Sequence, residues 1–469
     1  MRFCFFLVGL LTLSIAAAED NATKQQKNSP SKDSIAKASQ IKQLVQAYVD
    51  ADLVNAVSVG VVQADKQWTA HFGELSQNQP VAPTDQTIYE IGSMSKVFTG
   101  ILLGHAVETK TVTLDQPIGE LVPEISKKNP TVGQSIQLVH LATHNSGLPR
   151  MPDNWKPAQP NDPYVDYDRK LLIEFLSGVK TTREVNLKTE YSNLGMGSLG
   201  DLLSIKADVS YEKLLESVIA GPLKMSDTTI SLSEEQAARF APPHNAARTA
   251  ESPWNFDALA GAGGIRSTVS DMNRFMQAMI DPPDSELGRA IDLAWKQHAP
   301  SRDGYFAIGL GWHIARDGST RWHNGQTGGY HSMMLVNRDL QAGVVVLSNT
   351  ATGQIDSIAE SIIGLLAGQK LTLPKFEKEV DVDAETMKRL VGKYQIVPAF
   401  VLDVRVEKDQ LMVQATNQPA LPVYPESPTK WNYRAVTATI TFELPDEGPA
   451  TALTLHQNGR KMRGPRQQE

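Results

Sequence analysis

Ser93-Met94-Ser95-Lys96 puts a serine hydroxyl and a lysine amine three residues apart, directly after the apolar run Ile88-Tyr89-Glu90-Ile91-Gly92. Residues three apart on a helix share a face, so the Lys96 amine can reach the Ser93 hydroxyl and take its proton. A serine hydroxyl alone is too weak a nucleophile at neutral pH, and a neighbouring base activates it. The pattern by itself says little, because Ser-x-x-Lys begins at Ser29, Ser34, Ser39, Ser93, Ser177, Ser210 and Ser427. Context singles out Ser93. A strand-like run ending in glycine precedes it, and Val97, Phe98, Ile101, Leu102 and Leu103 follow with helical apolar spacing. Stripped of that context, a helix N-cap serine beside a solvated lysine is the simpler reading.

Two further stretches carry groups that such a pair needs. Tyr191-Ser192-Asn193 is the one Tyr-x-Asn in the chain. A phenol near Lys96 could protonate a leaving nitrogen, and a nearby lysine cation would favour its phenolate form. Asn193 offers an amide donor and an acceptor, suited to a substrate amide and to the lysine. The other stretch is His323-Asn324-Gly325-Gln326-Thr327-Gly328-Gly329-Tyr330, after an expected strand. There Gly325 leaves room for a peptide-like substrate beside an edge strand. The backbone N–H of Gln326 could join that of Ser93 as an oxyanion hole. Each stretch alone also reads as ordinary structure: a core tyrosine with an asparagine cap, or a glycine-rich turn with a surface histidine.

The elements that must position these residues follow from periodicity. A first helix is expected from Ile35, and strands over Val57–Val62 and Gln67–Phe72 form a hairpin. A helix-and-loop region runs from Ser93 to about Ile280, with helices over Leu194–Leu203 and Met272–Ile280, the latter begun by a Thr268-x-x-Asp271 capping box. Strands return over Phe306–Ile314, Thr320–His323, Tyr330–Val336 and Gly343–Leu347, closed by a helix over Ile355–Leu366. The two ends of this domain should therefore share one sheet, with a helical insertion facing it and a cleft between. After a linker, strands over Phe400–Val406, Gln410–Ala415, Ala438–Phe442 and Ala452–His456 and a turn at Asn458-Gly459 indicate a small antiparallel barrel or sandwich. The fold class expected is α/β plus an all-helical subdomain, with a small C-terminal all-β domain.

Residues 1–18 read as a signal peptide, with Arg2, an apolar core from Phe3 to Leu13 and Ala16-Ala17-Ala18 before the cut, so a secreted or periplasmic protein is expected. Residues 19–34 are a polar leader, 35–370 the hydrolase-like domain, 371–382 the linker and 383–469 the β domain. No later stretch is apolar enough to span a membrane. The single cysteine, Cys4, lies in the signal, so the mature chain carries no disulfide and no thiol chemistry. The net charge is −7, or −8 once the signal's one charge, Arg2, is removed, which argues against nucleic acid as partner. His140-x-x-x-His144 lacks the adjacent glutamate of a zinc peptidase helix, so no metal and no cofactor are expected.

The motifs around Ser93, Tyr191 and His323, in that order, resemble those of the class C β-lactamases and penicillin-binding-protein-like serine hydrolases. The resemblance runs from about Ile35 to Leu366 and includes Leu141-Ala142-Thr143-His144-Asn145-Ser146-Gly147-Leu148-Pro149, Ala260–Thr268 and Gly309-Leu310-Gly311-Trp312. It implies that Ser93 is the acylated nucleophile, Lys96 its base partner, Tyr191 the proton relay and Asn193 a substrate-amide contact. His323, Asn324 and Gly325, with Gln326, become the strand motif beside the substrate carboxylate. Which of Lys96 and Tyr191 is the base stays open at this point.

Class C β-lactamases have Lys-Thr-Gly where this chain has His323-Asn324-Gly325, and they lack a C-terminal β domain. The histidine resembles D-aminopeptidases and some D-Ala-D-Ala peptidases. A further departure is Asn186-Leu187-Lys188-Thr189-Glu190 before Tyr191, where relatives commonly turn on Pro-Gly. The activity implied is hydrolysis, through a Ser93 acyl-enzyme, of amide bonds in D-amino-acid peptides or β-lactams. The alternatives are a carboxylesterase with the same machinery and a non-hydrolytic penicillin-binding sensor of the cell wall.

Overall fold

The computed structural model describes residues 32–77, 80–181, 184–186, 189–300, 307–376, 379–416, 418, 420–436, 438–457 and 459–467. The expected signal, the leader up to residue 31, Leu187, Lys188 and Asn458 lie outside the described residues. The chain divides into two compact units, residues 1–43 and 44–469. The longer helices are α1 (Lys32–Asp50), α2 (Ser95–Glu108), α3 (Arg169–Gly178), α4 (Asn193–Ala207), α5 (Val269–Ile280), α6 (Glu286–Trp295) and α7 (Asp356–Leu366). Among the described residues, no helix is long and apolar enough to cross a membrane.

Strands β1 (Ala56–Gln63) and β2 (Lys66–Gly73) form the expected hairpin, and β3 (Ile88–Glu90) pairs with β4 (Arg266–Thr268) in a separate two-stranded ribbon. Strands β5 (Ala307–Ile308), β6 (His313–Ile314), β7 (Thr320–Gln326), β8 (His331–Asn337) and β9 (Ala342–Ser348) complete the main sheet, whose order is β2-β1-β9-β8-β7-β6-β5. The two ends of the domain do share one sheet: β1 lies against β9, with Val59 opposite Val346. β8 and β9 are buried throughout, which is why Met333–Val336 of β8 and Val344–Leu347 of β9 run apolar and do not alternate. Helices α5 and α7 pack against this sheet.

Two expectations need correction here. Of the strand foreseen over Phe306–Ile314, Phe306 lies outside the described residues and the rest is two short strands broken by the Gly309–Trp312 turn, which Gly309 N–H closes on Trp312 O at 2.9 Å. The capping box at α5 is half made. Thr268 Oγ1 accepts from Asp271 N at 3.1 Å, but the Asp271 carboxylate is taken by Asp227 N, Thr228 Oγ1 and Arg274 Nη1 and does not return to Thr268.

Helix α2 is buried on all sides from Ser95 to Gly104, against α4, α6 and the short helix Ala260–Gly263. Phe98 stacks on Phe275 of α5 with ring centroids 4.1 Å apart. This encasement fixes the turn just ahead of α2, where Ser93 lies.

After the short helix α8 (Ala384–Leu390) comes an eight-stranded antiparallel meander: β10 (Gly392–Val397), β11 (Phe400–Glu407), β12 (Gln410–Ala415), β13 (Ala420–Pro425), β14 (Lys430–Tyr433), β15 (Ala438–Glu443), β16 (Ala452–Gln457) and β17 (Arg460–Pro465). A bridge from Tyr394 to Arg466 ties its first strand to its last, so the barrel-like alternative holds. The turn after β14 reaches back to the segment before α7. Gly353 N–H donates to Ala435 O at 3.1 Å, Gln354 Nε2 to Tyr433 O at 3.2 Å, and Thr352 Oγ1 to Arg434 O.

Candidate active site

Ser93 lies in a 3₁₀ turn, Gly92–Met94, immediately before α2, and not on the α-helix itself. In that geometry residues three apart eclipse, so Lys96 still faces Ser93. The Lys96 Nζ donates to Ser93 Oγ at 2.9 Å and to Ala262 O at 2.6 Å. The N-cap reading of Ser93 falls away: the turn is capped at Ile91 and α2 at Met94, neither with a side-chain cap, and the Ser93 hydroxyl is partly exposed in an otherwise buried turn. Lys96 is fully buried. Burial first, and the Arg150 guanidinium second, hold its amine well below the ordinary lysine range. A neutral amine is what a proton acceptor must be.

Tyr191 precedes α4, whose N-cap Ser192 accepts from Gly195 N at 2.9 Å. The Tyr191 phenol hydrogen-bonds Ser93, and its ring lies 4.8 Å from Lys96 Nζ. Sequence reasoning expected a lysine cation to favour the phenolate. Burial wins instead and pushes the phenol above its ordinary range, so Tyr191 rests as a proton donor. Asn193 Nδ2 donates to Tyr164 Oη at 3.3 Å, and its buried Oδ1 has no partner among the described residues. An orphaned buried acceptor of this kind suits a substrate N–H.

Strand β7 brings in the third motif. Thr327 N–H bonds Tyr330 O at 3.1 Å, and the antiparallel alternation from there pairs Gly325 with Ser332 and turns the Gln326 N–H away from β8. It faces the Ser93 turn: a Cβ on Gly92 (φ +50°) would come 2.7 Å from Gln326 N. The Gln326 N–H thus lies beside the turn that carries Ser93. β6 covers β7 only at Arg321 and Trp322, so residues 323–326 keep an open edge.

Gly325 has a different reason for being glycine than the one expected. A Cβ there would fall 2.0 Å from Ile91 O and 2.7 Å from Ser332 Oγ, so the protein's own backbone fills the space. Gly325→Ala should push the Ile91–Ser93 turn off β7, lowering stability by about 1–3 kcal/mol and slowing Ser93 chemistry together. Urea unfolding alongside the rate of acylation checks both.

His323 is 1 % exposed; its Nδ1 meets Asn324 O at 2.5 Å and its Nε2 has no partner among the described residues. Burial, then His313 and Lys96, keep this imidazole neutral, its pKa far below the usual histidine range. It stacks on His313 at 4.6 Å, which sits near the Tyr191 ring, and His144 packs on the same ring at 4.7 Å. Asn324 Nδ2 donates to Asp356 Oδ2 at 2.9 Å, and the other Asp356 oxygen pairs with His331, whose Nδ1 meets Gln326 Oε1 at 2.8 Å.

The sequence reading did not single out His313, Arg150, Tyr164 or the Ala262 carbonyl. Three of them lie in or beside a quoted motif: His313 follows Gly309–Trp312, Arg150 follows Pro149, and Ala262 is inside Ala260–Thr268, whereas Tyr164 lies in none. Their proximity to Lys96 and Tyr191 arises only on folding. Among the described residues no cluster of histidine, cysteine or acidic side chains could hold a metal. Surface hollows of about 450 and 660 Å³ lie elsewhere, one beside Thr131, Ile136 and Val185 and the other beside Arg169, Asp201 and Asp257, and neither includes Ser93.

A serine held by a buried lysine, with a tyrosine on the same hydroxyl and an amide pair beside it, on a sheet faced by helices, defines a serine hydrolase of the Ser-x-x-Lys type. Residues 41–367 match the sequence profile of the Beta-lactamase family, and the chain belongs to that family. Residues 377–466 match a second profile, described as a domain of unknown function (DUF3471). A β-lactamase of Escherichia coli (strain K12) is 28% identical over 274 residues, 57% of this chain and 67% of its own length. The D-alanyl-D-alanine-carboxypeptidase/endopeptidase AmpH of the same strain is 26% identical over 358 residues, 71% of this chain and 91% of its own. A solved class C β-lactamase superposes with TM-score 0.64 at 22% identity, covering 71% of this chain and 98% of its own, which establishes the fold.

Proposed function

We propose that this chain is an exported serine hydrolase that forms an acyl-enzyme at Ser93 and cleaves amide bonds of D-amino-acid peptides or β-lactams. The observation that carries this is the buried Lys96 amine 2.9 Å from Ser93 Oγ, its pKa lowered by that burial, with the Tyr191 phenol on the same hydroxyl. As the Oγ–carbonyl carbon bond forms, the Ser93 proton passes to Lys96, while Ser93 N–H and Gln326 N–H receive the oxyanion. Tyr191 gives its proton to the leaving nitrogen as the C–N bond breaks and regains one from Lys96. Water then attacks the ester and the same groups act in reverse. Asn193 Oδ1 accepts a substrate N–H, and the open edge at His323–Gln326 pairs with the substrate backbone.

The division into a signal through Ala18, a hydrolase domain over 35–370 and a β domain over 383–469 is proposed with it, supported by the two profile spans. The names of the β-lactamase and AmpH relatives support the substrate classes. The test is a panel of a chromogenic cephalosporin, D-Ala-D-Ala peptides and short p-nitrophenyl esters, with mass spectrometry of the Ser93 adduct. Turnover of esters alone would reassign the substrate to the carboxylesterase type, and a stable adduct without turnover would make the chain a sensor.

The pKa directions set the pH dependence. Activity needs neutral Lys96 and protonated Tyr191. Because the Lys96 pKa is lowered, kcat/KM should rise with pH on an acid limb well below the ordinary lysine range; because the Tyr191 pKa is raised, it should fall on an alkaline limb above the ordinary tyrosine range. A pH–rate profile with its acid limb near 10 would contradict a desolvated Lys96.

A further inference from the structure

Two polar side chains flank Gly325 on the open edge of β7, and one carboxylate restrains both. Asp356, the first residue of α7, accepts from Asn324 Nδ2 at 2.9 Å through one oxygen and from His331 Nε2 at 2.8 Å through the other. The second ring nitrogen of His331, a residue only 4 % exposed, lies 2.8 Å from Gln326 Oε1. Asn324 and Gln326 are therefore tied to the same point on α7, one directly and one through His331. Hydrogen bonds to a carboxylate are short and roughly twice as strong as neutral ones, so Asp356 is suited to fixing two partners at once.

The segment that presents Asp356 is itself held by the C-terminal barrel. Thr352 Oγ1 donates to Arg434 O, Gly353 N–H to Ala435 O at 3.1 Å and Gln354 Nε2 to Tyr433 O at 3.2 Å. Three successive residues of one domain thus donate to three successive carbonyls of the turn between β14 and β15. That turn is anchored in its own domain. Tyr433 belongs to the barrel core, and the Arg434 guanidinium lies 4.0 Å from the Tyr424 ring centroid and pairs with Glu379. A Cβ on Gly353 would come 3.4 Å from Ala435 O and 3.8 Å from His331 Cε1, so the barrel turn and the Asp356 clamp meet at one residue.

From these contacts we infer that the C-terminal barrel works on the reaction: its β14–β15 turn sets residues 352–355, these set Asp356, and Asp356 positions the β7 edge that carries the Gln326 N–H. The inference rests on the Ser93 acyl-enzyme reading, in which that N–H receives the oxyanion. Asp356 is a positioning residue, acting through Asn324 and His331. An oxyanion donor counts only where it is aimed at the developing charge, and a displacement of about 1 Å can cost on the order of 100-fold in rate. Lost aim falls on the transition state and leaves ground-state binding almost untouched.

The test measures, in the full chain, the saturating rate of Ser93 acylation by a fluorescent penicillin and the concentration that half-saturates it. Asp356→Asn should lower the saturating rate about 10- to 100-fold and keep the half-saturating concentration within about twofold. Thr352→Val combined with Gln354→Leu removes two donors to the barrel turn and alters neither Asp356 nor β7. This pair should lower the same rate about 2- to 30-fold, the span of a coupling carried through intermediate residues. Because one route carries both effects, adding the pair to Asp356→Asn should slow acylation no further. Thermal midpoints of every variant, with the assay run well below the lowest of them, keep the comparison on folded protein. A wild-type rate in either variant, losses confined to half-saturation, or losses that multiply in the combined variant overturn the coupling and leave the acyl-enzyme reading standing. Absence of a Ser93 adduct on the wild-type chain overturns both.

Discussion

Ser93→Ala should abolish labelling by a fluorescent penicillin and lower kcat by about 10⁴-fold or more, the scale seen when a serine nucleophile is removed from a catalytic unit. The expectation follows from the geometry. Lys96 Nζ has two acceptors, Ser93 Oγ and Ala262 O, and the Tyr191 phenol bonds the same serine hydroxyl. Removing Oγ leaves both groups aligned on nothing that can form an ester. Stability should barely change, since Ser93 caps no helix. Intact-mass measurement after exposure to the penicillin is the decisive reading: an adduct on Ser93→Ala would place the nucleophile elsewhere and dismantle the proposed mechanism.

The parts of this site that were legible in the sequence are those encoded locally. Ser93 and Lys96 are one turn apart, and the apolar spacing of Val97, Phe98, Ile101 and Leu102 shows the buried helix that holds them. The main sheet was legible for a related reason: β1, β8 and β9 are buried on both faces, and their apolar stretches, Val57–Val62, Met333–Val336 and Val344–Leu347, announce central strands. What stayed hidden was set by tertiary contact. β4 is three residues long and exists because Arg266–Thr268 pairs with Ile88–Glu90 across the fold, a partner no local pattern reveals. In the C-terminal barrel, β13 contains Pro422 and Pro425, and β17 is half charged and mostly exposed, so neither carries the alternation that marks a strand.

Electrostatics was the least legible layer. Residue types alone gave Tyr191 a phenolate-favouring neighbour, an inference that assumed water nearby. Folding removes the water, and desolvation then overrides the Arg150 charge at Tyr191 and acts together with the neighbouring basic groups at Lys96 and His323. The same step explains the reassignment at Gly325. A glycine beside a catalytic strand invites a ligand in the sequence, whereas in three dimensions Ile91 O occupies that place and ties the strand to the nucleophile's turn.

Lys96→Met should lower kcat by about 10²- to 10⁴-fold, the range that a positioned general base contributes, while leaving stability little changed. Lys96 is wholly buried, and burying an amine in an apolar helix packing costs folding energy that a methionine of similar length avoids. Against that gain stands the Ala262 carbonyl, which would lose its 2.6 Å donor, a penalty of about 1–3 kcal/mol if nothing replaces it. The two terms oppose each other, so the melting temperature should move little in either direction, whereas the rate should collapse, because Tyr191 starts protonated and cannot stand in as base. Measuring the acylation rate and the thermal midpoint on one preparation separates the alternatives left open by residue type. If Lys96→Met acylates Ser93 at near the wild-type rate, Tyr191 is the base and the proton route runs opposite to the one proposed. If the rate falls with the midpoint intact, Lys96 is retained for chemistry at the expense of packing, as expected of a residue whose burial serves the reaction.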